Sequence, residues 1–160
     1  MPIEVLGLGY TKVTDLSPLR TLPLKGLSLH HTGVSDLGPL RGKGLTLLEL
    51  FRTPVSDLRP LAGMPLQQLD VSLTKVTDIS ALRGMPLVSA KFNRCPITDI
   101  SPLAESRRLR VLTLPAGVTG FEFLRDFPEL ERLSFAEDSR SGFRPDKTAE
   151  EFWAEYDATR

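Results

Sequence analysis

Hydrophobic residues recur along this chain with a fixed spacing. The interval is 21 residues at every step but one, which is 22, and the residues that mark it are Ile3, Leu24, Leu45, Leu66, Leu87, Leu109 and Leu130. From most of these positions the pattern L-x-x-L-x-L follows, as in residues 24–29. A period of about 20 to 50 residues is typical of solenoid proteins, in which each unit packs only against its neighbours.

The first half of each repeat alternates between apolar and variable residues. Leu27 and Leu29 point to one side of a strand and Ser28 to the other, because successive strand side chains alternate. Parallel strands stacked about 4.8 Å apart join such leucines into one core. Apolar residues in the second half, as in residues 34–40, close that core, and 21 residues leave no room for a long helix. The pattern predicts a right-handed α/β solenoid with a parallel concave sheet and short 3₁₀ turns on its convex face.

The period ends after the last strand motif, and a helix is predicted beyond it. Residues 136–146 are polar and indicate a loop, whereas Thr148 and Glu151 match a capping box and predict a helix to about residue 158. Phe152, Trp153 and Tyr156 share one side of that helix. They either cover the last strand or bind a groove of a partner, and the need to cover a solenoid end favours the first. We therefore divide the chain into a solenoid, residues 1–136, and a loop with a C-terminal capping helix, residues 137–160.

Two columns of polar residues recur at fixed points of the repeat. The first follows each strand and consists of Thr11, Thr32, Thr53, Thr74 and Cys95. The second precedes each convex turn and consists of Asp15, Asp36, Asp57, Asp78 and Asp99. A threonine hydroxyl can satisfy backbone groups where the chain leaves a strand, and an aspartate can cap the first turn of a short helix. Both columns are predicted to be scaffold, and neither indicates a metal site or a reactive thiol.

Charge and composition narrow the classes of partner and compartment. Lysine plus arginine and aspartate plus glutamate number 20 each, so the net charge is zero and neither a nucleic acid nor a membrane surface is expected as a partner. The single cysteine excludes an internal disulfide framework. The start, Met-Pro-Ile-Glu, lacks the features of a secretory signal. These features favour a cytoplasmic protein, or a secreted or surface protein if the chain is a fragment of a longer precursor.

The text of the repeats resembles known leucine-rich repeats of bacteria. Val-Thr-Asp-Leu-Ser-Pro-Leu, residues 13–19, resembles the internalin-like and phosphatase-regulator-like subclass. Leu-Ala-Gly-Met-Pro-Leu at 61–66 and Leu-Arg-Gly-Met-Pro-Leu at 82–87 are similar to planctomycete-type arrays that are often attached to serine/threonine protein kinases. The resemblance implies a bacterial interaction domain. It implies no kinase activity, because the glycine-rich loop and the His-Arg-Asp and Asp-Phe-Gly sequences are missing.

Candidate binding residues lie between the strand leucines and just after them, on the predicted concave face. They vary from repeat to repeat, as a recognition surface must, although a neutral surface would also vary. The candidates for protein binding are Tyr10, His31, Glu49, Phe51, Arg52, Asp70, Lys91 and Arg94. Tyrosine, phenylalanine and arginine are frequent interface anchors. We expect no cofactor and no catalytic residue, because two histidines and one cysteine in separate repeats do not supply a nucleophile, a base and an orienting group.

Two functions follow from these observations. The first is a non-catalytic protein-protein interaction module, part of a larger bacterial signalling or scaffold protein. The alternative is a secreted or surface adhesin or effector of the internalin type. The array opens directly on its first strand motif without a polar cap, which predicts either a fragment of a longer chain or self-association through the first repeat.

Overall fold

The computed structural model describes residues 2–138 and 144–159. Seven strands form one parallel sheet in chain order. They are β1 (Val5–Gly7), β2 (Gly26–Ser28), β3 (Leu47–Glu49), β4 (Gln68–Asp70), β5 (Ser89–Lys91), β6 (Val111–Thr113) and β7 (Arg132–Ser134). Adjacent strands pair one whole repeat apart, so that Leu48 lies opposite Leu27 on one side and Leu69 on the other. The sequence period is therefore the register of the sheet, and the predicted solenoid is confirmed.

Each repeat returns to the sheet through a 3₁₀ helix. These helices are Ser17–Leu19, Gly38–Leu40, Arg59–Leu61, Ser80–Leu82, Ser101–Leu103 and Glu122–Asp126. Each aspartate of the column stands one residue before the N-cap position of its 3₁₀ helix. Asp57 Oδ1 accepts a hydrogen bond from the backbone amide of Arg59 at 2.9 Å, while Leu58 holds the capping position itself. The predicted capping role is therefore corrected to an Asx turn leading into the helix.

The core is one continuous cluster of the strand and turn leucines. Leu27, Leu48 and Leu112 have no exposed surface, and Ala90 occupies the equivalent position in β5. Ala90 is smaller than the leucines of its column. Two residues later Phe92 is fully buried and is larger than the leucine or valine that other repeats have at that position, so it compensates for the lost volume. Dense packing therefore continues across β5 although its residues differ from the repeat pattern.

The threonine column closes the turn at the end of each strand. Thr53 Oγ1 donates to the carbonyl of Leu50 at 2.7 Å, and the Thr53 amide donates to the same oxygen at 3.1 Å. In the fifth repeat Cys95 takes this place, and its Sγ lies 2.9 Å from the carbonyl oxygen of Val71. Burial raises the pKa of the Cys95 thiol, which favours its protonated form.

The C-terminal helix α1 (Ala149–Ala158) begins at the capping box that the sequence predicts. Thr148 accepts from the Glu151 amide at 3.1 Å, and the Glu151 carboxylate accepts from the Thr148 amide at 2.8 Å. The helix packs on the last repeat: Phe152 is buried, and the ring of Tyr156 lies 5.2 Å from that of Phe121. These contacts cover the end of the core.

The segment before α1 contains two short strands, β8 (Glu137–Asp138) and β9 (Arg144–Pro145), which pair antiparallel. The expected loop over residues 136–146 is therefore corrected at its two ends. The middle of that expectation, residues 139–143, lies outside the described residues. Ser134 Oγ contacts Asp146 Oδ1, and Arg132 Nε donates to the Pro145 carbonyl at 3.0 Å, so β7 holds the β8–β9 hairpin against the sheet.

Candidate protein-binding site on the concave face

A column of charged side chains crosses the middle of the sheet. Glu49, Asp70 and Lys91 are register partners on β3, β4 and β5. Side chains in this column stand about 4.8 Å apart, because neighbouring strands have that separation. Glu137 of β8 joins them from outside the sheet, since its Oε1 accepts a hydrogen bond from Thr113 Oγ1, the next member of the column, at 2.9 Å.

A row of aromatic rings lies beside this column, at the turns that follow β1, β2 and β3. Tyr10 stacks on His31 with ring centroids 4.4 Å apart, and His31 lies 5.3 Å from Phe51. His30 meets the edge of Tyr10 at 5.1 Å. Tyr10 keeps 74% of its surface exposed, an unusual degree for a large ring, so the row presents aromatic surface to solvent.

The charged column and the aromatic row enclose one groove of about 510 Å³. Its lining residues are Tyr10, His30, His31, Glu49, Phe51, Arg52, Asp70, Lys91 and Glu137. Seven of the eight residues proposed from the sequence are thus brought together. Arg94 is the exception: it is exposed, and it does not line the groove. His30 and Glu137 are the two lining residues that the sequence proposal omitted.

The backbone under part of the groove is left-handed. Tyr10, His31 and Arg52 have φ between 55° and 58°, as do Leu73 and Arg94 in the following repeats. The register of the solenoid enforces this conformation, because the amide of Arg52 donates to the carbonyl of Ser72 in the next repeat at 2.9 Å. Strain of this kind costs about 1 to 3 kcal/mol per residue and is often found at functional sites. Here it recurs in five repeats, so it belongs to the scaffold.

The carboxylates of the groove are in an unfavourable electrostatic environment. Burial raises the pKa of Asp70 above its usual range, although the Ser72 amide donates to Asp70 Oδ1 at 2.8 Å and Lys91 lies nearby. Burial also raises the pKa of Glu137, against the opposing effects of Lys91 and of Thr113. The ammonium group of Lys91 thus interacts with the carboxylates of both Asp70 and Glu137.

His30 and His31 occupy different environments. Burial and the charge of Arg52 lower the pKa of His31, which favours the neutral form of its ring. The Nδ1 atom of His30 lies 2.6 Å from Ser28 Oγ, a pair within one strand and turn that the sequence proposal did not identify. The His30 ring lies on Gly9, where a Cβ atom would stand 2.3 Å from its Nε2 atom. Gly9 therefore makes the space that this ring fills.

Neither a metal-ligand cluster nor a membrane-spanning helix is found in the part of the chain that the structure describes. Within residues 2–138 and 144–159, no three histidine, cysteine, aspartate or glutamate side chains are grouped closely enough to hold a metal ion. The same part of the chain contains no helix long and apolar enough to cross a membrane.

The repeat register, the parallel sheet and the 3₁₀ turns define the fold as a leucine-rich-repeat solenoid. The chain is similar to an internalin (inlF) from Listeria monocytogenes, with a TM-score of 0.75 and 31% identity over 81% of this chain and 40% of that one. It is also similar to internalin C2 (inlC2) from the same bacterium, with a TM-score of 0.67 and 26% identity over 82% of this chain and 70% of that one. The chain thus spans less than half the length of the first of these proteins. No protein-family model and no curated protein matches the sequence.

Proposed function

We propose that this chain is a non-catalytic protein-interaction module that binds its partner in the groove of the concave face. The observation that carries the proposal is the convergence of aromatic and charged side chains from neighbouring repeats and from β8 on one groove. Exposed aromatic rings and a desolvated carboxylate such as that of Asp70 can both be stabilised by contact with a complementary partner. The internalin-like fold supports the general role of protein interaction.

The test is affinity capture of a partner from the native host with the full chain, followed by two variants. Phe51→Ala removes a half-buried anchor ring, and Arg52→Glu reverses a charge at the rim of the groove. Each is expected to weaken binding by about tenfold or more, as anchor residues of interfaces do. Arg108→Glu makes the same charge change at an exposed position outside the groove and is expected to have no effect. A partner retained by both folded groove variants would contradict the proposal.

The non-catalytic part of the proposal is tested at the Ser28–His30 pair. A serine beside a histidine is the beginning of a nucleophile–base arrangement, and an orienting carboxylate on the far side of the ring would complete it. The His30 ring lies against Gly9 on its Nε2 side, and glycine has no carboxylate to offer there. We expect no turnover of an activated ester such as p-nitrophenyl acetate beyond that of Ser28→Ala. Hydrolysis that Ser28→Ala abolishes would contradict a purely binding role.

Two cellular locations are proposed for the module. The first is a cytoplasmic signalling or scaffold protein, with a kinase domain as its neighbour on the same polypeptide. The second, favoured by the similarity to internalins, is a secreted or surface adhesin or effector. Fractionation of the native host with an antibody against the chain distinguishes them, because recovery with the cytosol supports the first and recovery with the medium or the cell surface supports the second.

Self-association through the first repeat is a further proposal for the partner. β1 lies at the edge of the sheet and pairs only with β2, and Ile3 and Val5 are 50% and 73% exposed. An exposed apolar edge strand is a template for pairing with another chain. Sedimentation equilibrium is expected to show dimers that Val5→Lys dissociates. A monomer at all concentrations would contradict this proposal but would not bear on the proposed binding role of the groove.

A further inference from the structure

The groove has two chemically different ends. Tyr10, His31 and Phe51 form the aromatic end. Glu49 and Asp70 lie at the other end, together with Glu137 and Lys91. A partner that fills the whole groove must therefore present an apolar surface and, a few ångströms away, a group that complements the charged end.

The charged end has an excess of negative charge. Glu49, Asp70 and Glu137 supply three carboxylates against the single ammonium of Lys91, which leaves two formal negative charges. Among the described residues Glu49 forms no ion pair. A cationic side chain of a partner segment would complement this excess of negative charge.

We propose that the partner inserts an arginine side chain between Glu49 and Asp70 and packs an adjacent apolar residue on the Tyr10–Phe51 rings; this inference rests on the proposed binding function. Glu49 and Asp70 are register partners on adjacent strands, about 4.8 Å apart at their backbones. A guanidinium carries five donors in a planar fork and can bond both carboxylates, whereas an ammonium is a compact point charge.

Arg52 sets the polarity of the bound segment. It lines the aromatic end of the groove, and its charge repels the partner's arginine from that end, so Arg52→Glu is expected to weaken binding by drawing the arginine away from Glu49 and Asp70. The cation therefore lies toward β4 and β5 and the apolar residue toward β1 and β2. A segment with an acidic residue in place of arginine would meet three carboxylates and is excluded.

The test uses three synthetic peptides, Gly-Gly-Trp-Arg-Gly-Gly and its analogues with citrulline or glutamate in place of arginine. Citrulline has the shape of arginine without its charge, so the pair isolates the electrostatic contribution. Binding is followed by ¹H–¹⁵N NMR titration of the full chain to about 5 mM peptide, a range that includes millimolar dissociation constants. The arginine peptide is expected to shift the amides of β3 and β4, and the citrulline and glutamate peptides are expected to bind at least about tenfold more weakly.

The protein variants are Glu49→Gln and Asp70→Asn, with Glu105→Gln as the control at an exposed carboxylate outside the groove. Both groove variants are expected to bind the arginine peptide about tenfold or more weakly than the wild type, and the control is expected to bind it with unchanged affinity. Asp70→Asn keeps an acceptor for the Ser72 amide, and Glu49 is exposed, so both variants are expected to give the wild-type NMR spectrum away from the groove.

The outcomes separate this inference from the proposed function. Equal affinity for the arginine and citrulline peptides, or no binding of the arginine peptide, would overturn the arginine site. If a captured partner is lost with Phe51→Ala but unaffected by Glu49→Gln and Asp70→Asn, the groove binds a protein by other chemistry and only this inference fails. If Phe51→Ala has no effect on that partner, the proposed function fails first.

Discussion

Leu48→Ala tests whether the stability of the array resides in the contacts between repeats. Leu48 lies in β3, has no exposed surface, and stands between Leu27 and Leu69 in the leucine column. Its side chain is therefore packed on both sides by equivalent residues. The matched control is Leu6→Ala, the same substitution in β1, where Leu6 is only half-buried and has a column neighbour, Leu27, on one side.

The expected loss of unfolding free energy for Leu48→Ala is about 3 to 4 kcal/mol, the range for truncation of a fully buried leucine whose surroundings cannot collapse. The neighbouring leucines are held by strand register, which limits their movement into the cavity. For Leu6→Ala the same truncation removes less buried area and leaves a space open to solvent, so the expected loss is about 1 to 2 kcal/mol.

Urea denaturation followed by far-ultraviolet circular dichroism measures both losses, and the fluorescence of Trp153 reports on the C-terminal helix in the same titration. In an array with nearest-neighbour coupling, the two signals are expected to shift together for Leu48→Ala. Equal losses for Leu48→Ala and Leu6→Ala would refute the argument, because they would show that the number of packed neighbours does not determine the contribution of a repeat.

Three other substitutions test the scaffold and the groove. Because burial holds the pKa of Asp70 above 3.8, its ionisation opposes folding as pH rises through and above that value, so Asp70→Asn is expected to be more stable than the wild type near about pH 7 and equal to it near about pH 3. Urea midpoints at both pH values measure this. Gly63→Ala is expected to cost about 1 to 2 kcal/mol from backbone strain alone, because φ is +75° and nothing lies within 4 Å of the added Cβ; a neutral urea midpoint would contradict it. Thr148→Ala removes the capping box and is expected to cost about 1 kcal/mol, seen as faster amide exchange in residues 149–152 and not in β3.

The repeat period made most of the fold predictable. Once 21 residues separate equivalent positions, parallel pairing fixes which side chains become neighbours, so Glu49, Asp70 and Lys91 could be placed in one column from sequence alone. The capping box at Thr148 was equally predictable, because it depends on local hydrogen bonds. Both features depend on interactions whose geometry is set by spacing along the chain.

The missed features depend on contacts that spacing does not describe. Glu137 follows the last strand of the period, and only the pairing of β8 with β9 brings it to the groove. The left-handed backbone at Arg52 could not be predicted from residue type, because the position holds neither glycine nor asparagine. A hydrogen bond to the next repeat imposes this conformation. Arg94 stands in the same column as Arg52, but a long side chain has many rotamers, and the repeat does not determine whether it turns toward the groove.

The electrostatic environment separates scaffold carboxylates from those of the groove, a distinction that residue type alone cannot make. In the scaffold, hydrogen bonds from Arg59 lower the pKa of Asp57 to about 2, and the Ser101 amide lowers that of Asp99. In the groove, burial raises the pKa of Asp70 and of Glu137. A carboxylate whose ionised form is already stabilised by its own turn has little to gain from a partner. One that is desolvated and shares its counter-ion gains from an added cation, so binding energy is available at Asp70 and not at Asp57.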